Sequence, residues 1–171
     1  MARTYAIRSV RGADFALLKS WRTRPHVRRW WDEPGVEPDI EKLDDPRIAL
    51  WIASHAECPF AFLQDYEIHA WPDHHFNYLP PGARGIDLYI GEADMLGVGH
   101  GAALLRQHVG ELFRQGTPAV GIDPHPDNIV AIRCFEKAGF AIARERVETD
   151  WGPAVLMDRR NMALMAPGKR S

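Results

Sequence analysis

Apolar positions recur with two periods along this chain. From Thr4 to Val10 they alternate, which predicts a first strand, and Gly12 to Trp21 carries Phe15, Leu18 and Trp21 at helical spacing. Pro25 can open a second short helix holding Val27, Trp30 and Trp31. Pro34, Gly35 and Pro38 make Asp32 to Pro38 a loop, and residues 39–43 add a helical turn. Arg47 to Ala53 and Phe60 to His69 read as strands joined through Ser54 to Pro59, an antiparallel hairpin. A long segment follows, Ala70 to Gly82, whose aromatics argue against disorder. Next come a strand from Arg84, a glycine-rich loop, a helix from Gly99 to Gln115, and a buried strand from Pro118 to Ile122 ending at Asp123. A helix from Asn128 to Ala138, capped by Asp127 and stopped by Gly139, precedes two last strands, Phe140 to Thr149 and Pro153 to Arg159. The order β α α β β β α β α β β predicts an α/β fold, a mixed sheet with helices on its faces.

The stretch from Arg84 to Arg106, RGIDLYIGEADMLGVGHGAALLR, organises the rest. Glycines at 97, 99 and 101 let backbone N–H groups converge on one concavity, to which the following helix adds its unpaired N–H groups and the positive end of its dipole. Such a site attracts phosphate without any lysine. Ahead of it, Asp87 sits mid-strand among Ile86, Leu88 and Ile90, where Asp fits poorly by propensity. Alternation puts Asp87 and Tyr89 on the face opposite those three aliphatic residues.

Composition adds a charge asymmetry. The 171 residues suit a single domain over 1–165 with a tail at 166–171, and the net charge is −2. Yet residues 57–94 hold seven carboxylates, Asp65, Glu67, Asp73 and Asp87 among them, against Arg84 alone. Such a segment is an attractor for cations. Residues 1–31 hold eight Lys or Arg against Asp14, but in no compact run among aromatics, so no nucleic-acid partner is expected. The longest apolar run, Ile48 to Ala53, is too short for a membrane span, and the first residues lack a signal-peptide core. Cys58 and Cys134 form no metal spacing, which fits a reducing cytoplasm. His69, His74 and His75 with Asp73 match no standard zinc pattern, so no metal is expected, and no covalent-nucleophile motif stands out.

The glycine loop and, further on, DPHPDNIVAIRCFEKAGF (Asp123 to Phe140) together resemble the GNAT family of acetyl-CoA-dependent N-acetyltransferases. The resemblance implies the GNAT fold, with a mostly antiparallel sheet splayed at the cofactor site and helices on both faces. It also implies acetyl-CoA as cofactor. The loop Leu96, Gly97, Val98, Gly99, His100 and Gly101 would hold the pyrophosphate, and Asn128, Ala131, Phe135 and Lys137 would line the pantetheine arm, followed by Gly139 and Phe140. Backbone N–H groups of Leu88, Tyr89 and Ile90 are candidates for the thioester carbonyl, where one well-aimed donor is worth roughly 3–4 kcal/mol.

Within the family, WW at Trp30 and Trp31, RGID at Arg84 to Asp87, and GPAVLM at Gly152 to Met157 are most similar to aminoglycoside 6′-N-acetyltransferases. The resemblance implies that Asp87 does base chemistry, and that Trp31, Gln64, Tyr66, Asp73, Asp87, Asp123 and Asp150 hold a polycationic sugar. Trp71, Phe76 and Tyr78 are further candidates for stacking, and Asp65 and Glu67 for the carboxylate cluster. Leu96 stands where the family loop begins with Gln or Arg, so phosphate binding there leans on backbone N–H groups. Phe135 stands where many relatives carry a Tyr credited with protonating the thiolate, which leaves that proton to water. The reaction implied is direct attack of the amine in a ternary complex, by a monomer or homodimer. The alternatives are acetylation of a siderophore precursor, another small amine or a protein, and, from another class, a non-catalytic CoA-binding sensor.

Overall fold

The computed structural model describes residues 3–31 and 40–165. The expected loop from Asp32 to Pro38 and the tail at 166–171 lie outside them. Seven strands form one sheet in the order β1-β2-β3-β4-β5-β7-β6. These are β1 (Ala6–Ser9), β2 (Ile48–His55), β3 (Cys58–Glu67), β4 (Arg84–Ile90), β5 (Ala119–Ile122), β6 (Ala141–Thr149) and β7 (Gly152–Arg160). Every pairing is antiparallel except that of β4 with β5. The helices are α1 (Phe15–Thr23), α2 (Pro25–Arg28), α3 (His100–Arg114), α4 (Ile129–Lys137) and a short α5 (Met162–Met165) that the sequence pattern did not predict. Up to β7 the order of elements is the one read from the sequence.

Strand alternation distributes the core over both faces of the sheet. Leu63, Ile86 and Val120 pack against Leu104, Leu105 and Val109 of α3 and Phe135 of α4. On the other face Ile52, Phe62 and Tyr89 pack against Leu18 and Trp21 of α1 and Val27 of α2. Side chains two residues apart share a face of a strand, so Leu88 and Ile90 join the first layer and Tyr89 the second.

Four local details differ from the sequence reading. The β2–β3 connection is narrower than Ser54 to Pro59: His55 pairs with Cys58 across a two-residue turn, Ala56 and Glu57, both at positive φ (46° and 65°). Two positive-φ residues match the twist of a hairpin, but without Gly or Asn they leave no signal in the sequence. Helix α2 ends at Arg28, and Trp30 and Trp31 follow in a turn whose N–H groups both donate to the Val27 carbonyl. Phe76 is fully buried with Ile68, Leu79 and Leu156, where it anchors the 70–82 segment rather than offering a stacking surface. Its ring fits because Gly121 carries no Cβ, which would come within 2.9 Å of it.

The fourth detail concerns α4, whose N-cap is Asn128, not Asp127. The Asn128 side chain accepts a hydrogen bond from the Ala131 N–H at 3.2 Å. Asn128→Ala is expected to lower stability by about 1 kcal/mol, read from urea unfolding; an unchanged midpoint would show that the cap contributes nothing. At the other end Gly139 takes φ 94°, and the N–H groups of Gly139 and Phe140 close back on the carbonyls of Glu136 and Phe135.

Candidate functional site

The parallel pairing of β4 and β5 stops at Gly85 and Gly121. From Ile86 onward the edge of β4 diverges from β5, and a wedge opens between them. The glycine loop and the start of α3 lie beside the end of β4, where a Cβ on Gly101 would come within 3.6 Å of the Ile90 side chain. Gly97 and Gly99 take φ of 73° and 89°, and Gly99 is the N-cap of α3. Open space surrounds the position a Gly97 Cβ would occupy. Gly101 is needed for another reason: a Cβ there would come within 3.0 Å of the Cys134 sulfur, so its absence lets α4 lie close to the start of α3. Leu96 and Val98 expose their side chains, and Arg3 donates to the Val98 carbonyl. The loop thus has the backbone conformation and helix terminus that bind phosphate through N–H groups.

The His100 ring turns into the core, its Nδ1 2.9 Å from the Tyr5 hydroxyl, and burial pulls its pKa down. Only its backbone is left for the loop. The Tyr89 side chain likewise belongs to the core, stacked on Phe62 at 5.2 Å. Leu88 and Ile90 are partly buried, and His26 donates to the Ile90 carbonyl at 3.0 Å. On α4, Ala131 packs against the core, Phe135 is buried against it, and Lys137 is exposed at the C-terminus.

Acidic and aromatic residues gather on the face of the sheet that carries Tyr89. Gln64 and Asp87 are paired across β3 and β4, and the Gln64 amide donates to Asp87 Oδ2 at 2.7 Å. Burial, reinforced by the negative charge of Asp123, pushes the Asp87 carboxyl up to about 7 against the opposing pull of the Gln64 hydrogen bond, Lys42 and His75. Burial and then the charges of Asp87 and Asp123 hold the Tyr66 phenol far above its ordinary range, so it stays protonated. The Tyr66 ring lies over Gly85, where no Cβ could be accommodated, and meets Trp71 edge-on at 5.9 Å. His75 Nε2 lies 2.8 Å from Asp123 Oδ2. Trp31 packs edge-on against Tyr89 at 4.8 Å, two residues along β4 from Asp87.

Gln64, Tyr66, Asp87 and Asp123 are therefore brought together, with Trp31 on the same face. Asp73 is exposed in the 70–82 segment. Asp150 is exposed at the β6–β7 turn, near enough to act on His74 through its charge. Asp65 is not in the cluster. It points to the opposite face, 1% exposed, and accepts from Trp51 at 2.6 Å, His108 at 2.9 Å and Arg84. Strand parity explains this, because Asp65 is one residue from Gln64. Glu67 is exposed at the end of β3. Sequence reasoning missed the pairing of His75 with Asp123, forty-eight positions away, because no local spacing announces it. Among the described residues no group of three or more His, Cys, Asp or Glu could hold a metal ion, and no helix is long and apolar enough to cross a membrane.

This geometry has close counterparts. The model of the acetyltransferase (GNAT) domain matches residues 11–147. An aminoglycoside N(6′)-acetyltransferase type 1 of Klebsiella pneumoniae is 32% identical over 161 residues, covering 88% of this chain and 80% of that protein. A solved structure of aminoglycoside acetyltransferase AAC(6′)-Ib with coenzyme A and kanamycin superposes with a TM-score of 0.80 at 31% identity, covering 95% of this chain and 98% of the other. An aminoglycoside N(6′)-acetyltransferase of Legionella pneumophila is similar at 26% identity, with a TM-score of 0.78 and 96% of each chain covered. With its splayed β4–β5 pair, its glycine loop ahead of α3 and a domain match over most of its length, the chain belongs to the GNAT family of acetyltransferases.

Proposed function

We propose that this protein is an acetyl-CoA-dependent N-acetyltransferase whose acceptor is a polycationic amine, best an aminoglycoside acetylated at its 6′-amine. The observation that carries the reading is the placing of Asp87 on β4, hydrogen-bonded to Gln64 across the β3–β4 pair, where burial and the charge of Asp123 push its carboxyl up to about 7. An ordinary aspartate, with a pKa of about 3.9, is a weak base at neutrality; one near 7 divides its time between accepting and releasing a proton. Acetyl-CoA supplies an acyl group activated as a thioester. The loop fits it: the N–H groups of Gly97 to Gly101, at the N-terminus of α3, would take the pyrophosphate, and the neighbouring helix α4, which carries Asn128, Ala131, Phe135 and Lys137, would flank the arm.

In this reading Asp87 binds the acceptor ammonium, orients it and takes its proton directly or through water. Asp123 and Asp150 attract the remaining ammonium groups, with Asp73 and the aromatic ring of Trp31 at the approach. Each exposed ion pair is worth only about 0–1 kcal/mol, so selectivity has to come from several carboxylates meeting several cations. Tyr66, kept protonated, and Gln64 act as hydrogen-bond donors in the same cluster.

The test is thiol release from acetyl-CoA with kanamycin, tobramycin, a hydroxylysine derivative and a peptide panel as acceptors. Turnover with the aminoglycosides at least about tenfold above the other amines, a margin of roughly 1.4 kcal/mol, is the expected result. Preference for the hydroxylysine derivative or the peptides would move the assignment within the family, and coenzyme A binding without any turnover would favour a sensor.

A further inference from the structure

The glycine loop has no Lys or Arg of its own between Leu96 and Gly101. The fold brings one to it from ahead of β1. Arg3 donates through Nη1 to the Val98 carbonyl, ninety-five positions away in the sequence. The same nitrogen lies 3.3 Å from the position a Gly99 Cβ would occupy.

What holds this exposed arginine in place begins two residues on. Tyr5 is buried. Its N–H donates to Gln107 Oε1 at 2.9 Å, and the Gln107 amide donates back to the Tyr5 carbonyl at 2.8 Å. Its ring packs on Phe60 at 5.4 Å between centroids, and its hydroxyl lies 2.9 Å from His100 Nδ1. Gln107 and His100 both belong to α3. The segment that carries Arg3 is therefore clasped to the helix whose N-terminus completes the glycine loop.

We propose that Arg3 is the cation of the cofactor's pyrophosphate site, a positioning residue that acts through the Val98–Gly99 peptide. The assignment concerns the cofactor and is independent of which amine is the acceptor.

The geometry gives the mechanism. In a trans peptide the carbonyl and the following N–H point opposite ways, so a Val98 carbonyl fixed toward Arg3 turns the Gly99 N–H away from it, as a donor of the loop. The partner is a neutral carbonyl, so the bond leaves the guanidinium charge uncompensated, and that charge persists at every working pH. Placed behind the peptide, it polarises the N–H and adds to the positive end of the α3 dipole. The neighbouring groups do not supply this charge. Burial, and then the charges of Arg3 and His55, hold the His100 imidazole below its ordinary pKa, which favours its neutral form. Arg106, further along α3, donates to the Lys137 carbonyl at 2.7 Å, at the end of α4.

The test is calorimetric titration of the wild type, Arg3→Met and Arg3→Lys with coenzyme A and with 3′-dephospho-coenzyme A, at low and high salt. At about 50 mM salt Arg3→Met should bind both ligands about fivefold more weakly than the wild type, and at about 500 mM salt the gap should close to within about twofold. Arg3→Lys, which keeps the charge, should recover most of the low-salt affinity. Equal affinities of the wild type and Arg3→Met overturn the proposal. So does a weakening of the same size at both salt concentrations, which is the mark of a loosened loop without a charge effect, and so does a Lys variant no tighter than Met. Weakened binding of coenzyme A alone, with 3′-dephospho-coenzyme A unaffected, would put Arg3 on the 3′-phosphate and overturn its assignment to the loop. Wild-type protein that binds neither ligand would overturn the reading of the loop as the cofactor site, and the proposal with it.

Discussion

Asp87→Asn is expected to lower kcat by about 10²–10⁴-fold while leaving the affinity for coenzyme A unchanged. Asn keeps the shape of the side chain and can still meet the Gln64 amide through its own oxygen, but it can neither take a proton nor pair with an ammonium. The wild-type pH profile should identify the group. The carboxyl is raised to about 7 by burial and by Asp123, and only its ionised form accepts a proton. Activity should therefore climb as pH rises to about 7 and level above it, and the Asn variant should lose that limb. The linkage to folding runs the other way. A carboxyl with a folded pKa above its unfolded value near 3.9 favours the folded state at acid pH and withdraws that support as pH rises toward 7. Asp87→Asn should then be at least as stable as the wild type at about pH 8, so its lost turnover cannot be unfolding. Thiol-release kinetics across pH, with thermal unfolding of both proteins, reads all of this. A variant that keeps turnover within about threefold of the wild type, under 1 kcal/mol, would remove Asp87 from the chemistry.

The raised carboxyl on which this rests was half legible in the sequence. Its position was readable: an Asp at an interior strand position, opposite in parity to Ile86, Leu88 and Ile90, points away from the aliphatic layer, and it does. The β4–loop–α3 unit, the α3 and α4 helices and the succession of strands and helices along the chain were legible for the same reason, since each is written in a local period or a glycine position. Features set by chain segments meeting across the fold were not. Asp65 and Asp87 look alike in a list of carboxylates, yet one pairs with His108 and the other with Gln64. His75 reads as one of several histidines in a loop until Asp123 is placed against it. The turn at Ala56 and Glu57 puts non-glycine residues at positive φ, where no preference points. At α4, Asp127 and Asn128 are equally good caps by type, and only the geometry separates them.

Asp65→Ala should be the most destabilising of these substitutions, by about 3–5 kcal/mol. The carboxylate is 1% exposed and serves three donors from three elements: Trp51 on β2, Arg84 on β4 and His108 on α3. Its removal leaves an indole N–H, an imidazole and a guanidinium facing the same gap, in a layer otherwise built from Leu63, Ile86 and Leu105. Burial alone would raise the Asp65 pKa, but the hydrogen bond from His108, the charge of Arg84 and the bond from Trp51 outweigh it and hold the carboxyl below its ordinary value. A depressed carboxyl contributes stability above its unfolded pKa of about 3.9 and loses it as pH falls through the folded value. The gap between wild type and Asp65→Ala, measured by urea unfolding, should therefore be full at about pH 6–7 and narrow below about pH 4. Tryptophan fluorescence follows the transition. The buried ion cluster lies behind the same β3–β4 pair whose other face carries Gln64 and Asp87. Loosening it should therefore also blunt the pH limb of the remaining activity, because Asp87 is held near 7 by its burial on that pair. A loss of less than about 1 kcal/mol would mean that water fills the vacated position and satisfies all three donors.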